Sequence, residues 1–118
     1  MSGVTSKSFE AADEVRTPPL AKVEVVRLGN ETVARLTAQP GWKWSEHLKP
    51  VVGTDSCQVR HVGLVQSGRL HTVHDDGSEM EVGPGDAYVI EPGHDGWVVG
   101  DEPLVVFEFE SAESFARS

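Results

Sequence analysis

Hydrophobic positions alternate with polar ones along most of this chain, in short runs separated by glycine, proline, asparagine and aspartate. A period of two places one set of side chains on one face of a β-strand. In residues 22–28 the apolar positions are Val23, Val25 and Val26, and Gly29-Asn30 supplies a turn. Residues 32–38 set Ala34, Leu36 and Ala38 on one face before Pro40-Gly41 ends the run. Residues 42–47 are Trp-Lys-Trp-Ser-Glu-His, and 48–56 read as a loop containing Pro50, Gly53, Thr54 and Asp55. Residues 57–65 form the next strand, closed by Ser67-Gly68. Residues 69–74 and 78–82 flank Asp75-Asp76-Gly77, a strong hairpin signal. Gly83-Pro84-Gly85-Asp86 cannot continue a strand, because proline lacks a donor and glycine tolerates unusual dihedrals. Residues 87–90 are apolar and suit a buried strand; Pro92-Gly93 breaks the chain, and His94 lies just past the break. Residues 97–99 and 104–109 flank a last turn at Gly100-Asp101-Glu102-Pro103.

Eight or nine short strands at near-regular spacing predict an antiparallel barrel or sandwich with almost no helix. Nothing in the pattern could serve as the crossover helix of a parallel α/β fold. Residues 1–19 are polar and end in Thr17-Pro18-Pro19, so they read as a flexible segment that Phe9 could pin to the barrel. Residues 20–110 make the barrel, and 111–118 a tail of one helical turn or frayed chain.

The length, 118 residues, fits one domain with a small core. Ten basic against nineteen acidic side chains give a formal charge of −9. Nucleic acid and anionic membranes need clustered Lys and Arg, so neither is an expected partner. Cys57 is the single cysteine, which leaves no intrachain disulfide. The first 20 residues lack the apolar core of a signal peptide, and no stretch approaches a membrane span. A cytoplasmic location is the expectation.

The stretch Pro84-Gly85-Asp86, strand, Pro92-Gly93-His94 resembles the second motif of the cupin superfamily. The first motif also has its framework here: Gly41, five residues, His47, and later His61, six residues, Gly68. Within cupins, residues 40–47, 54–58 and 92–103 look like those of small bacterial cupins of uncharacterised function, similar to cupin domains related to nucleotide cyclases. The resemblance implies an all-β chain: a cupin-type antiparallel β-barrel, also described as a double-stranded β-helix or jelly roll. It further implies a metal in the barrel mouth and a homodimer, for which residues 22–28 would be an open edge strand.

Against the family pattern, Lys49 replaces the second histidine of His-x-His, His61 stands where glutamate is usual, and Gly96 occupies the usual last histidine position. His94 lies two residues earlier, which in an extended chain keeps the same face. The resulting metal candidates are His47, His61 and His94, drawn from three separate strands or turns. Imidazoles suit a divalent transition metal such as Zn, Fe, Ni or Mn. Cys57, four residues before His61, is either a further ligand or reactive group, or a small buried apolar residue. Trp44 and Tyr88, with Trp42 and Trp97 nearby in the pattern, either line a small-molecule pocket or pack the core.

Three functions follow from these residues. One is a binding module for a metal or small ligand, with a sensor or accessory role. The second is a metal-dependent enzyme of dioxygenase or isomerase type, for which Glu46 or Cys57 would be the acid or base. The third is a degenerate, metal-free cupin kept for assembly.

Overall fold

The structure, a computed structural model, describes residues 3–110; the C-terminal tail expected at 111–118 lies outside the described residues. Among the described residues nine strands run β1 (Glu14–Arg16), β2 (Ala21–Leu28), β3 (Glu31–Ala38), β4 (His61–Ser67), β5 (Leu70–His74), β6 (Glu79–Val82), β7 (Ala87–Ile90), β8 (His94–Val98) and β9 (Leu104–Glu108). They form a six-stranded sheet, β1-β2-β3-β9-β4-β7, and a three-stranded sheet, β6-β5-β8. Every pairing is antiparallel. Val23, Val25, Leu36, Val65, Leu104 and Val106 fill the space between the sheets. The alternation that predicts the strands therefore becomes the inner face of the barrel.

Two isolated bridges, Lys43 with Trp97 and Cys57 with His94, tie the long connection between β3 and β4 onto β8. That connection departs from the loop expected at 48–56, and residues 44–47 are not extended either. It holds two single helical turns, α1 (Trp44–His47) and α2 (Lys49–Val52). Pro50 sits in the first turn of α2, where its missing N–H costs nothing, and Gly53 ends α2 in the left-handed region at φ 80. The strand expected from residue 57 begins instead at His61, because Cys57 bonds to β8 rather than to the neighbours of β4.

The N-terminal segment lies against the barrel, with Phe9 in the pinning role expected of it. Its 3₁₀ turn, Phe9–Ala11, is capped by Ser8, whose Oγ accepts from Glu10 N at 3.0 Å. The Phe9 ring lies 5.7 Å from that of Phe107, with the Arg35 guanidinium 5.2 Å from its centre. Glu14–Arg16 pairs with β2, and Asp13 accepts the Arg27 N–H at 2.7 Å. The edge of β2 that suggested a dimer contact is thus covered over residues 23–25 by the chain's own β1. Among the described residues no helix is long and apolar enough to cross a membrane.

Candidate metal centre

His61 opens β4, and strand alternation turns it inward together with Gly63 and Val65. His94 opens β8 and is buried on the same face as Gly96 and Val98. Cys57 is held against His94 by backbone: its N–H donates to the His94 carbonyl, and its own carbonyl accepts from Gly93 N, both at 2.7 Å. The three side chains converge. Cys57 Sγ and one nitrogen from each histidine lie within 4.8 Å of one another, and all three residues are buried. The two imidazole rings meet edge to face, with centres 5.1 Å apart.

Each histidine is oriented by a second contact. His61 Nδ1–H donates to Glu108 Oε1 at 2.5 Å, while its Nε2 lies 3.7 Å from Cys57 Sγ. His94 Nδ1–H donates to the Glu91 carbonyl at 2.8 Å. Carboxylate and carbonyl oxygens only accept, so in both rings Nδ1 keeps its hydrogen and Nε2 is the atom available to a ligand.

The same contacts set the charges. Burial opposes a charge on His61, but Glu108 and Cys57 outweigh it and raise the imidazole pKa to about 9. Burial pushes the Cys57 thiol up; hydrogen bonds from His61 and His94, and their charge, outweigh it and bring the pKa down to about 6. Each group thus favours the charged form of the other, thiolate beside imidazolium.

Glu108 is itself fixed. In register, Gly63 stands between Tyr88 on β7 and Glu108 on β9. A Cβ at Gly63 would come within 2.8 Å of the Tyr88 hydroxyl and would also meet the Phe107 carbonyl. With no side chain there, the phenol passes over β4 and donates to Glu108 Oε2. Burial, reinforced by the Glu108 charge, raises the Tyr88 pKa and keeps the phenol protonated.

The donor set fits a metal. One thiolate and two neutral imidazoles are ordinary ligands for a first-row ion. Bonds of about 2.3 Å to sulfur and 2.1 Å to nitrogen let the thiolate and an imidazole on one ion stand at most about 4.4 Å apart, so the donors, spread here within 4.8 Å, would draw in by a few tenths of an ångström or more around an ion. Cys57, His61 and His94 could therefore hold a metal ion. Beside them a cavity of about 40 Å³ opens between the sheets. Its lining includes His61, His94, Trp44, Tyr88 and Glu108.

Of the residues singled out in the sequence, His61 and His94 come together, and Trp44 and Tyr88 line the adjoining cavity. His47 does not join them, and Cys57 supplies the third donor in its place. The physical reason is that residues 44–47 coil into α1, so the alternation of an extended chain is lost and His47 Nδ1 stays local, 3.1 Å from Lys43 N. Lys49 is nearly half exposed, with its ammonium 4.0 Å from Asp55, and Glu46 is exposed. Glu46 is therefore not placed as an acid or base for the cavity. Glu108 went unnoticed in the sequence although its signal was present: it shares the inward register of Leu104 and Val106.

No protein-family profile matches the chain, and no curated protein matches it significantly. Solved structures do. A protein of unknown function from Rhizobium leguminosarum superposes with a TM-score of 0.65 at 20% identity, over 92% of this chain and 96% of that one. The cupin domain of Schizosaccharomyces pombe Cnp3 gives 0.63 at 10% identity, over 92% and 74%. A sugar phosphate isomerase of the cupin superfamily from Silicibacter pomeroyi gives 0.63 at 18% identity, over 89% and 74%. With its two antiparallel sheets enclosing a histidine-lined cavity, the chain has the cupin fold.

Proposed function

We propose that this barrel is a binding module that holds one divalent transition-metal ion through Cys57 Sγ, His61 Nε2 and His94 Nε2, with a sensor or accessory role. The observation that carries the reading is the pair of anchored imidazoles. Both Nδ1–H groups are engaged by fixed acceptors, and both Nε2 atoms are left to the thiol. A thiolate with imidazoles favours zinc over harder ions such as manganese. Bound there, the ion would supply a Lewis acid to a small oxygen ligand in the cavity. Glu108 and Tyr88 hold His61 in register.

The line Cys57, His61, Glu108 also has the order of nucleophile, base and orienting carboxylate. A thiol enzyme is nevertheless the weaker reading, because Cys57 is only 2% exposed and does not line the cavity. The isomerase among the structural neighbours lends some support to a metal-dependent enzyme. With His61 and His94 given to the metal, the acid or base candidates lining the cavity are Glu108 and Tyr88, which are already bonded to each other.

Elemental analysis of untagged protein tests the proposal. About one equivalent of metal is expected, lost in His61→Ala and kept in His47→Ala. Equal metal content in both variants contradicts it.

A further inference from the structure

Two buried polar groups have no partner among the described residues: Thr72 Oγ1 and Trp42 Nε1. Both residues are 5% exposed, and both line the cavity that His61 and His94 also line. Burying such a group without a partner costs about 1–3 kcal/mol, so buried polar atoms are nearly always satisfied. Two orphans around one small cavity point to a guest that satisfies them.

The chemistry of the orphans limits the guest. An indole N–H can only donate, so the guest must offer an acceptor to Trp42. A threonine hydroxyl can donate to a second acceptor on the same guest. Leu36, Leu70, Ile90, Leu104 and Val106 line the same cavity and offer an apolar surface to the remainder of the guest. A cavity of about 40 Å³ admits only a few heavy atoms. The Glu108 carboxylate also faces the cavity, but His61 and Tyr88 already donate to it. Gly96 keeps the approach to Thr72 open. It stands opposite Thr72 in register, and a Cβ there would sit 3.5 Å from Thr72 Oγ1, with any longer side chain filling the space beyond.

We infer that the cavity is a subsite for a short-chain carboxylate, whose two oxygens accept from Thr72 Oγ1–H and Trp42 Nε1–H while its apolar end packs on the barrel lining. The inference deepens the reading of the barrel as a binding module and rests on it.

Acetate is the probe. The indole N–H signals of the three tryptophans are followed by NMR during an acetate titration, with Trp42→Phe identifying the Trp42 signal. Acetate should shift that signal saturably in the wild-type protein. Thr72→Val, which keeps the shape and removes the hydroxyl, should weaken acetate on the order of tenfold, and Thr72→Ser should restore it. Gly96→Val should block binding by filling the approach. Metal content is measured on the same samples. Metal-replete protein whose Trp42 signal ignores acetate, or whose Thr72→Val variant binds acetate like wild type, overturns the subsite and leaves the metal reading standing. Protein that takes up no metal yet binds acetate through Thr72 overturns the metal reading and supports the subsite. Should Thr72→Val fail to fold, loss of acetate affinity in Trp42→Phe, read by calorimetry, decides the question, and unchanged affinity overturns the subsite.

Discussion

His61 Nδ1 and Glu108 Oε1 stand 2.5 Å apart across the β4–β9 pair, both almost fully buried. This contact fixes the histidine tautomer and leaves Nε2 directed at Cys57. It also holds a positive charge on His61 in the absence of metal, because Glu108 offsets the cost of burying it.

Replacing Glu108 with glutamine keeps the shape and removes the charge. Metal affinity should fall about 10- to 100-fold, as it does when a partner behind a ligand is lost. In metal-free protein the His61 imidazole should titrate well below about 9, since the Glu108 charge that raises it is gone. Ring-proton NMR reads the second effect, which a purely structural defect would not produce. An unchanged His61 titration in Glu108→Gln contradicts the assignment.

Gly63 should tolerate no side chain. Its Cβ would collide with the Tyr88 hydroxyl and with the Phe107 backbone, and the carbonyl cannot yield as a flexible side chain would. Gly63→Ala should cost about 1–3 kcal/mol, the usual range for an overpacked core. Urea unfolding checks it, and a variant as stable as wild type would mean that Tyr88 does not cross β4 as described.

Acid should weaken the fold through Glu24. The residue is 5% exposed, and its carboxylate accepts from Arg35 Nε at 2.9 Å and Nη2 at 3.0 Å, with Lys22 at 3.7 Å and Glu10 sharing the same arginine. Hydrogen bonding to Arg35 outweighs burial and holds its pKa below 4.5. A depressed folded-state pKa gives stability that is complete above the unfolded value of 4.5 and is lost as pH falls through the lowered value. Glu24→Gln should therefore flatten the stability profile below pH 4.5 and lower stability at neutral pH. Parallel acid profiles for the two proteins would remove Glu24 from the account.

Much of the barrel was legible because alternation and turn residues act locally. Leu104, Val106 and Glu108 face inward for the same reason that 104–109 reads as a strand. The N-terminal strand was not legible: Glu14–Arg16 is only three residues long, and its pairing with β2 depends on a distant partner. The site was half legible. Motif spacing singles out His61 and His94, although β4 and β8 begin at these residues and not at the expected 57 and 97. His47 was misplaced because α1 is a single turn without a helical pattern of its own, imposed by the bridges to β8. Cys57 was seen as a neighbour of His61 along one strand, whereas its hold on the site comes from backbone bonds to Gly93 and His94 across the barrel. Such non-local pairing cannot be read from spacing alone.

Cobalt(II) added to metal-free protein reads whether Cys57, His61 and His94 share one metal ion, because a thiolate bound to cobalt gives a charge-transfer absorption in the near ultraviolet. The wild-type protein should develop that band to saturation at one equivalent. Cys57→Ser should lack it, and His61→Ala and His94→Ala should need far more cobalt to approach it. A wild-type spectrum without the band, or a band that persists in Cys57→Ser, contradicts the account.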